Sequence, residues 1–250
     1  MFPFIRGWTD VARTTRANVR LGAVLAFVAG AANAGGFLAV GQYTSHMTGV
    51  VSSVADNLVL GNVVLAVAGL GALVAFLLGA MTTAIMVNWG LRRQLHSAYG
   101  LPLLAESAAL LVFGLFGAGI NVFAPLFLPL TVVVLCFIMG LQNAVITKIS
   151  KAEIRTTHVT GLVTDLGIEL GKLVYVNRGA QPTPVRANRE RLRLHALLIG
   201  CFFAGGVAGA LGFKYAGYVS TVPLAVLLCA LTFRPVLKDL RGIARQRREA

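Results

Sequence analysis

Charge is scarce in this sequence. Asp, Glu, Lys and Arg make up 12% of its 250 residues, and only nine of them are acidic, against roughly 25% charged in an ordinary soluble domain. With 57% of the residues apolar, there is too little polar surface to cover a water-exposed fold, and the lipid bilayer is the expected solvent. Cysteine is also sparse: Cys136, Cys201 and Cys229 stand inside apolar runs without CxxC spacing, which argues against a disulfide framework or a zinc site. Enzyme signatures are missing as well, with no GxSxG, HExxH, Walker A or strand–helix GxGxxG motif. No cleavable leader is evident. The first apolar run begins at Leu21, behind Arg6, Arg13, Arg16 and Arg20, so residues 1–20 read as a cytoplasmic lead-in with Phe4 and Trp8 at the interface.

What charge there is has one dominant sign. The net charge is +13, but the Lys and Arg residues form short clusters between long uncharged runs and accompany no nucleic-acid-binding pattern. That distribution is the one the positive-inside rule produces, and no nucleic-acid partner is expected. Basic stretches at 178–193 and 234–248 are expected to fix orientation and to touch anionic lipid headgroups.

A spanning helix needs about 20 apolar residues. Six runs qualify, near 21–40, 63–90, 101–121, 125–147, 194–213 and 216–233. The third and fourth are joined by a tight turn, Asn121-Val-Phe-Ala-Pro125. Two further segments, 47–61 and 159–173, are shorter and carry Asp56 and Asp165 with Glu169; a carboxylate at the bilayer centre costs about 2.5–3.5 kcal/mol. If both crossed fully, Arg92, Arg93, Lys148, Lys151, Arg155 and Lys214 would lie outside. If both enter and return on one side, only Lys214 does. The second arrangement satisfies the positive-inside rule better. The fold expected is an all-α polytopic membrane protein with about six full transmembrane helices, two short re-entrant or interfacial helices, and both termini cytoplasmic.

Self-similarity is the strongest signal. Leu25-Ala-Phe-Val-Ala-Gly-Ala-Ala-Asn-Ala34 matches Leu135-Cys-Phe-Ile-Met-Gly-Leu-Gln-Asn-Ala144, Thr44-Ser-His-Met-Thr-Gly49 matches Thr156-Thr-His-Val-Thr-Gly161, and Phe76-Leu-Leu-Gly79 matches Phe202-Phe-Ala-Gly205. The order is kept, and the offset of the first two pairs is constant to within two residues. A two-fold internal repeat is expected, with one copy over 21–121 and the second over 122–233. The second copy contains a basic cytoplasmic loop, 174–193, and a basic tail, 234–250, follows it. With three full spans in each copy the repeat is inverted, an arrangement whose sites lie where the halves meet.

The candidate site residues sit at corresponding places. Each turn offers hydroxyls (Thr44, Ser45 and Thr48; Thr156, Thr157 and Thr160), a glycine (Gly49; Gly161) and a histidine (His46; His158). Ser and Thr are good N-caps, a helix start favours anions, glycine permits close approach, and histidine titrates near neutrality. Asn33 and Asn143 either hydrogen-bond across helices or face the same site. Asp56, Asp165 and Glu169 are candidates for ion or proton coupling. In the alignment Asp165 falls opposite Ser53 and Glu169 opposite Asn57. Glu106, close to a helix end, and His96 and His195, in or beside basic segments, are assigned no specific role.

Ala29-Gly-Ala-Ala-Asn-Ala34, Gly36-Phe-Leu-Ala-Val, Tyr43-Thr-Ser-His-Met-Thr-Gly49, Gly140-Leu-Gln-Asn-Ala144 and Arg155-Thr-Thr-His-Val-Thr-Gly161 together resemble the YoaK family of bacterial membrane proteins, over about residues 20–233. The resemblance implies a bacterial cytoplasmic-membrane location and six or more helices, and supplies no substrate. It also implies Asp at the place of Asn33 and Asn at the place of Val50, and hence an altered ion dependence if those positions carry activity.

The function expected is transport or channelling of a small polar or anionic solute, at a site where the two copies meet. The partners are the lipid bilayer and a small molecule or ion; no cofactor or metal is expected, and a homo-oligomer is compatible with the sequence. Two alternatives stand beside it. One is a membrane-embedded enzyme acting on a lipid, which needs His46 or His158 within hydrogen-bond reach of Asp56 or Asp165. The other is an assembly or sensor subunit, which needs no continuous polar cavity.

Overall fold

In the computed structural model, residues 8–11, 13–117, 124–177 and 183–249 are described, with side chains outside 116–129 and 243–250. Every described regular element is helical: α1 Thr15–Val40, α2 Met47–Val59, α3 Val63–Arg92, α4 Gly100–Gly117, α5 Ala124–Ile149, α6 Val159–Val174, α7 Arg189–Ala216, a 3-10 turn at Gly217–Thr221, and α8 Val222–Glu249. The chain is an all-helical protein of polytopic membrane type. By length and apolar content α1, α3, most of α5, and the α7–α8 region can each cross a bilayer, and α4 is a shorter apolar helix. At 13 and 16 residues, α2 and α6 are only about 20 and 24 Å long, short of the roughly 30 Å hydrocarbon core.

Local signals explain most of the boundaries. The Thr14 hydroxyl accepts from Ala17 N–H to start α1, and Gly41, at φ 71°, ends it by donating to Phe37 O. Asn188 starts α7 by accepting from Glu190 and Arg191 N–H, and Lys214 sits in its last turn, where the helix dipole favours a cation. The sixth span differs from expectation. Gly217, at φ 61°, breaks the chain into a 3-10 turn, α8 begins only at Val222, and the basic stretch expected as a tail continues α8 as helix to Glu249. Residues 118–123, including most of the expected Asn121–Pro125 turn, lie outside the described residues, as does Phe4. Trp8 is buried in the core rather than placed at an interface.

α1 and α5 form the centre. Leu21, Leu25, Ile138 and Met139 are fully enclosed there, while α3 presents Val64, Leu70, Leu77, Met81 and Ile85 outward. In a bilayer, burying apolar groups against other helices brings little hydrophobic gain, so close backbone packing and interhelical hydrogen bonds hold the bundle. Both occur. A Cβ on Gly30 would strike Phe202 O, and one on Gly205 would strike Phe27 O; likewise Gly140 meets Phe76 O and Gly79 meets Phe137 O. Thr83 donates to Leu141 O at 2.9 Å, Gln142 to Leu25 O at 2.8 Å, and Ser107 to Ala225 O at 2.7 Å.

These contacts give the helix directions. Gly22 faces Leu198, Gly30 faces Phe202 and Gly35 faces Phe213, so α1 and α7 run parallel. Thr83 pairs with Leu141 and Asn88 with Lys148, so α3 and α5 are parallel too. Gln142 meets Leu25 while Leu135 meets Gly36, which makes α1 and α5 antiparallel. Ser97–Asp239, Ser107–Ala225 and Leu110–Thr221 make α4 and α8 antiparallel. α2 doubles back on α3 through a turn at Gly61 (φ 74°) and seats Val54 on Gly69. α6 doubles back on α7, its end meeting Asn188 and its start sharing a cleft with His195.

Candidate functional site

Each short helix is anchored to the long helix before it by one recurring bond. Asn33 Oδ1 accepts from Ser45 N–H at 3.1 Å and from the Ser45 hydroxyl at 2.9 Å. Asn143 Oδ1 accepts from the Thr157 hydroxyl at 2.6 Å, and its amide donates to Met139 O at 2.8 Å. Asn33 lies two helical turns before the end of α1, and Asn143 nearly two before the end of α5. After each long helix ends, the chain therefore folds back by about 10 Å before the short helix starts. The second return is longer and rigidified: Lys151 and Ala152 adopt positive φ, and the Ser150 hydroxyl accepts from Ile154 N–H at 2.9 Å.

The T-[ST]-H-x-T-G residues play roles other than those their types suggest. His46 and His158, not a Ser or Thr, occupy the N-cap positions of α2 and α6, and neither side chain caps the helix. Instead each imidazole lies against the glycine three residues on, where a Cβ on Gly49 or Gly161 would collide with it. The expected close approach is thus made by the motif's own histidine. Thr44 and Thr156 are buried with hydroxyl oxygens that have no partner. His46 and His158 are exposed, and so are Thr48 and Thr160.

Gln142–Leu25 and Leu135–Gly36 set the levels of the two turns on the central pair. Asn143 stands near Leu25 and Asn33 near Cys136, so the turns are separated by about 12 Å along the helix axis. The described contacts bring no residue of one turn against a residue of the other.

The second turn opens into a cleft. A cavity of about 320 Å³ is lined by Arg155, His158, Gly161, Asp165 and His195. It continues along α6 past Glu169, Lys172 and Arg191. Asp165 is exposed, as is Asp56 on α2. Glu169 is enclosed and already holds two donors, the Lys172 ammonium at 2.8 Å and the Asn188 N–H at 2.6 Å, and these hold its carboxyl below the usual carboxylate range. Among the described residues, no hydrogen bond or ion pair joins His46 or His158 to Asp56 or Asp165; the ion pairs are His96–Asp239 and Lys172–Glu169. Nor is any group of three His, Cys, Asp or Glu side chains placed to hold a metal among those residues.

A family model described as "Protein of unknown function (DUF1275)" matches residues 21–233. The chain belongs to this family. No curated protein and no solved structure matches it. The DUF1275 match takes in both histidine turns and the whole cleft, and leaves out the lead-in and the basic end of α8.

Two residues inside the DUF1275 match carry more than their sequence context suggested. His195 lies beside a basic segment, yet it is only 7% exposed and its Nδ1 has no partner. Its place opposite Gly69 in the repeat alignment was the available signal. Glu106 is completely enclosed in α4 rather than near a free helix end, and neither carboxyl oxygen has a partner. Leu103 and Leu110, one turn to either side, are fully buried and mark its face as an inward one.

Proposed function

We propose that this chain is a transporter or channel of the bacterial cytoplasmic membrane for a small polar or charged solute, built as an inverted repeat with six spans and two re-entrant short helices. The resemblance to the YoaK family implies the cytoplasmic-membrane location and six or more helices. The carrying observation is the pair of tethers, Asn33–Ser45 and Asn143–Thr157, on antiparallel central helices. Each draws a helix start back from the end of its long helix, and the two starts approach from opposite ends of the α1–α5 pair. A helix N-terminus set below the membrane surface is suited to the polar or anionic part of a solute.

Helix directions support the topology. With the N-terminus inside, α3 and α7 begin on the sides where α1 and α5 respectively end, so neither α2 nor α6 crosses. Among the basic residues named above only Lys214 then falls outside, in keeping with the positive-inside rule. The swapped glycine contacts support the repeat: Gly30–Phe202 and Gly140–Phe76 are one interface made twice.

The test combines topology with flux. In a cysteine-free background, single cysteines across 41–62 and 148–172 are labelled from each side with an impermeant thiol reagent. The ends of each short helix should label from the same side, outside for α2 and inside for α6. In proteoliposomes, His46→Ala with His158→Ala should abolish solute flux while leaving thermal unfolding unchanged. Flux retained in that double variant would sink the proposed route, and opposite-side labelling would sink the topology.

A further inference from the structure

We propose that the cleft between α6 and α7 is a binding site for a small zwitterion, an amine joined to a carboxylate or phosphate, with the buried His195 as its floor. This deepens the transport reading and rests on it only for the ligand's role as cargo.

Three independent features converge on the cleft. Its inner end is the start of α6, where His158 provides no side-chain cap and the first N–H groups form the positive end of the helix dipole, a favourable place for an anion. His195 supplies the second. It is 7% exposed, lines both parts of the cleft, and its Nδ1 lacks a partner; buried polar atoms are nearly always satisfied, by a ligand or water if not by protein. The third is charge of both signs. Arg155, Asp165 and Glu153 line the cleft and join no ion pair among the described residues, and Arg191 lines it beside Glu169, whose carboxylate it favours.

A simple anion would meet the helix start and the arginines but leave Asp165 facing it. A simple cation would do the reverse. A zwitterion answers both, with its anionic group at the start of α6 and its amine toward Asp165. From Val159 to Asp165 the helix rises about 9 Å, a reach that a short amino acid or phospho-amine covers between its contacts. The volume, about 320 Å³, is at the small end of the range for molecular ligands. At the corresponding place in the first half stand Gly69, filled by Val54, and Leu65.

The same chemistry occurs on free solutes and on the phosphatidylethanolamine headgroup, so the experiment separates them. The full chain is placed in nanodiscs of phosphatidylglycerol and titrated calorimetrically with 4-aminobutyrate and phosphoethanolamine, and with butyrate and butylamine as single-charge probes. At least one zwitterion should bind roughly tenfold tighter than either single-charge probe, because charge-assisted hydrogen bonds form at both ends. His195→Ala should weaken that binding roughly tenfold. Asp165→Asn, at an exposed position where folding is not at risk, should do likewise, and His96→Ala, outside the cleft, should not.

Loss of soluble-probe binding on adding phosphatidylethanolamine to the discs would assign the headgroup as the natural occupant; unchanged binding would assign a free solute. Butyrate binding as well as 4-aminobutyrate, or no probe binding, overturns the proposal. Binding without flux would keep this site and remove the transport reading, whereas flux without binding would do the opposite.

Discussion

The α2–α3 and α6–α7 hairpins share a frame and differ in what fills it. In both, a histidine stands at the N-cap position of a short helix, folds over a glycine, and follows a residue tethered to an asparagine of the preceding long helix. In the first hairpin Gly69 lets Val54 sit directly on α3, and the equivalents of Asp165 and Glu169 are the uncharged Ser53 and Asn57. In the second, His195 stands where Gly69 would be, and the helices part into a charged cleft. One frame thus yields a closed contact and an open one, and the difference traces to a few side chains. On the proposed repeat, one frame carries a closed contact in the first hairpin and a charged cleft in the second.

The most damaging way to test the shared frame is at the glycine–carbonyl contacts. Gly30→Leu and Gly140→Leu should each destabilise by about 3 kcal/mol, because the added side chain meets a backbone carbonyl that cannot move without separating helices. Thermal unfolding in nanodiscs should show similar losses for both. A large cost at one position and none at the other would mean that the two interfaces are not equivalent.

A smaller effect tests the difference. Gly69→His places at the first hairpin the residue that props open the second. It should cost about 2 kcal/mol, as Val54 loses its seat, and should make a cysteine introduced at the buried position 54 more accessible to thiol reagents. Unaltered labelling there would show that bulk at this position does not set the helix separation.

The helical frame was legible in the sequence because bilayer helices are written in long apolar runs, and the matched strings Thr44–Gly49 and Thr156–Gly161 mark two turns of the same build. The site was only partly legible. Residue types identified the two turns, but not which polar atoms satisfy one another. Ser45 and Thr157 were read as caps and instead bind Asn33 and Asn143. His195 and Glu106 were passed over because local sequence context gives proximity to charge, whereas burial depends on which helix face packs inward. The end of α7 and the start of α8 were misplaced by several residues because Gly217 breaks the chain at a point where hydropathy barely changes.

The tethers themselves predict a graded pair of effects. Asn33→Ala removes two hydrogen bonds and should cost about 1–2 kcal/mol, while Asn143→Ala removes one tether bond and should cost about 1 kcal/mol. Asn33→Asp should keep the tether, since Oδ1 only accepts from Ser45 and a carboxylate oxygen can do the same, while the buried charge costs stability. Hydrogen exchange at Ser45 N–H is the direct measure. It should rise in Asn33→Ala and stay low in Asn33→Asp.

The gentlest test uses pH and sets Glu169 against Asn57. Lys172 and the Asn188 N–H favour the ionised Glu169 carboxyl and lower its pKa in the folded chain. A group held below its unfolded value stabilises the fold above that unfolded value, and the contribution disappears as pH falls through the lowered one. With an ordinary glutamate near 4.3, docking of α6 on the start of α7 should be intact at about pH 6 and weaken below about pH 4. The Asn188 amide should then exchange faster than neutral-pH behaviour predicts after correction for intrinsic rates. Asn57, which takes the place of Glu169 in the first hairpin, does not titrate, so the Asn62 amide should show no such step. Glu169→Gln should remove the pH step at Asn188 and leave exchange there uniformly faster. An equal step at Asn62 would assign the acid sensitivity to the whole bundle instead of to this one carboxylate.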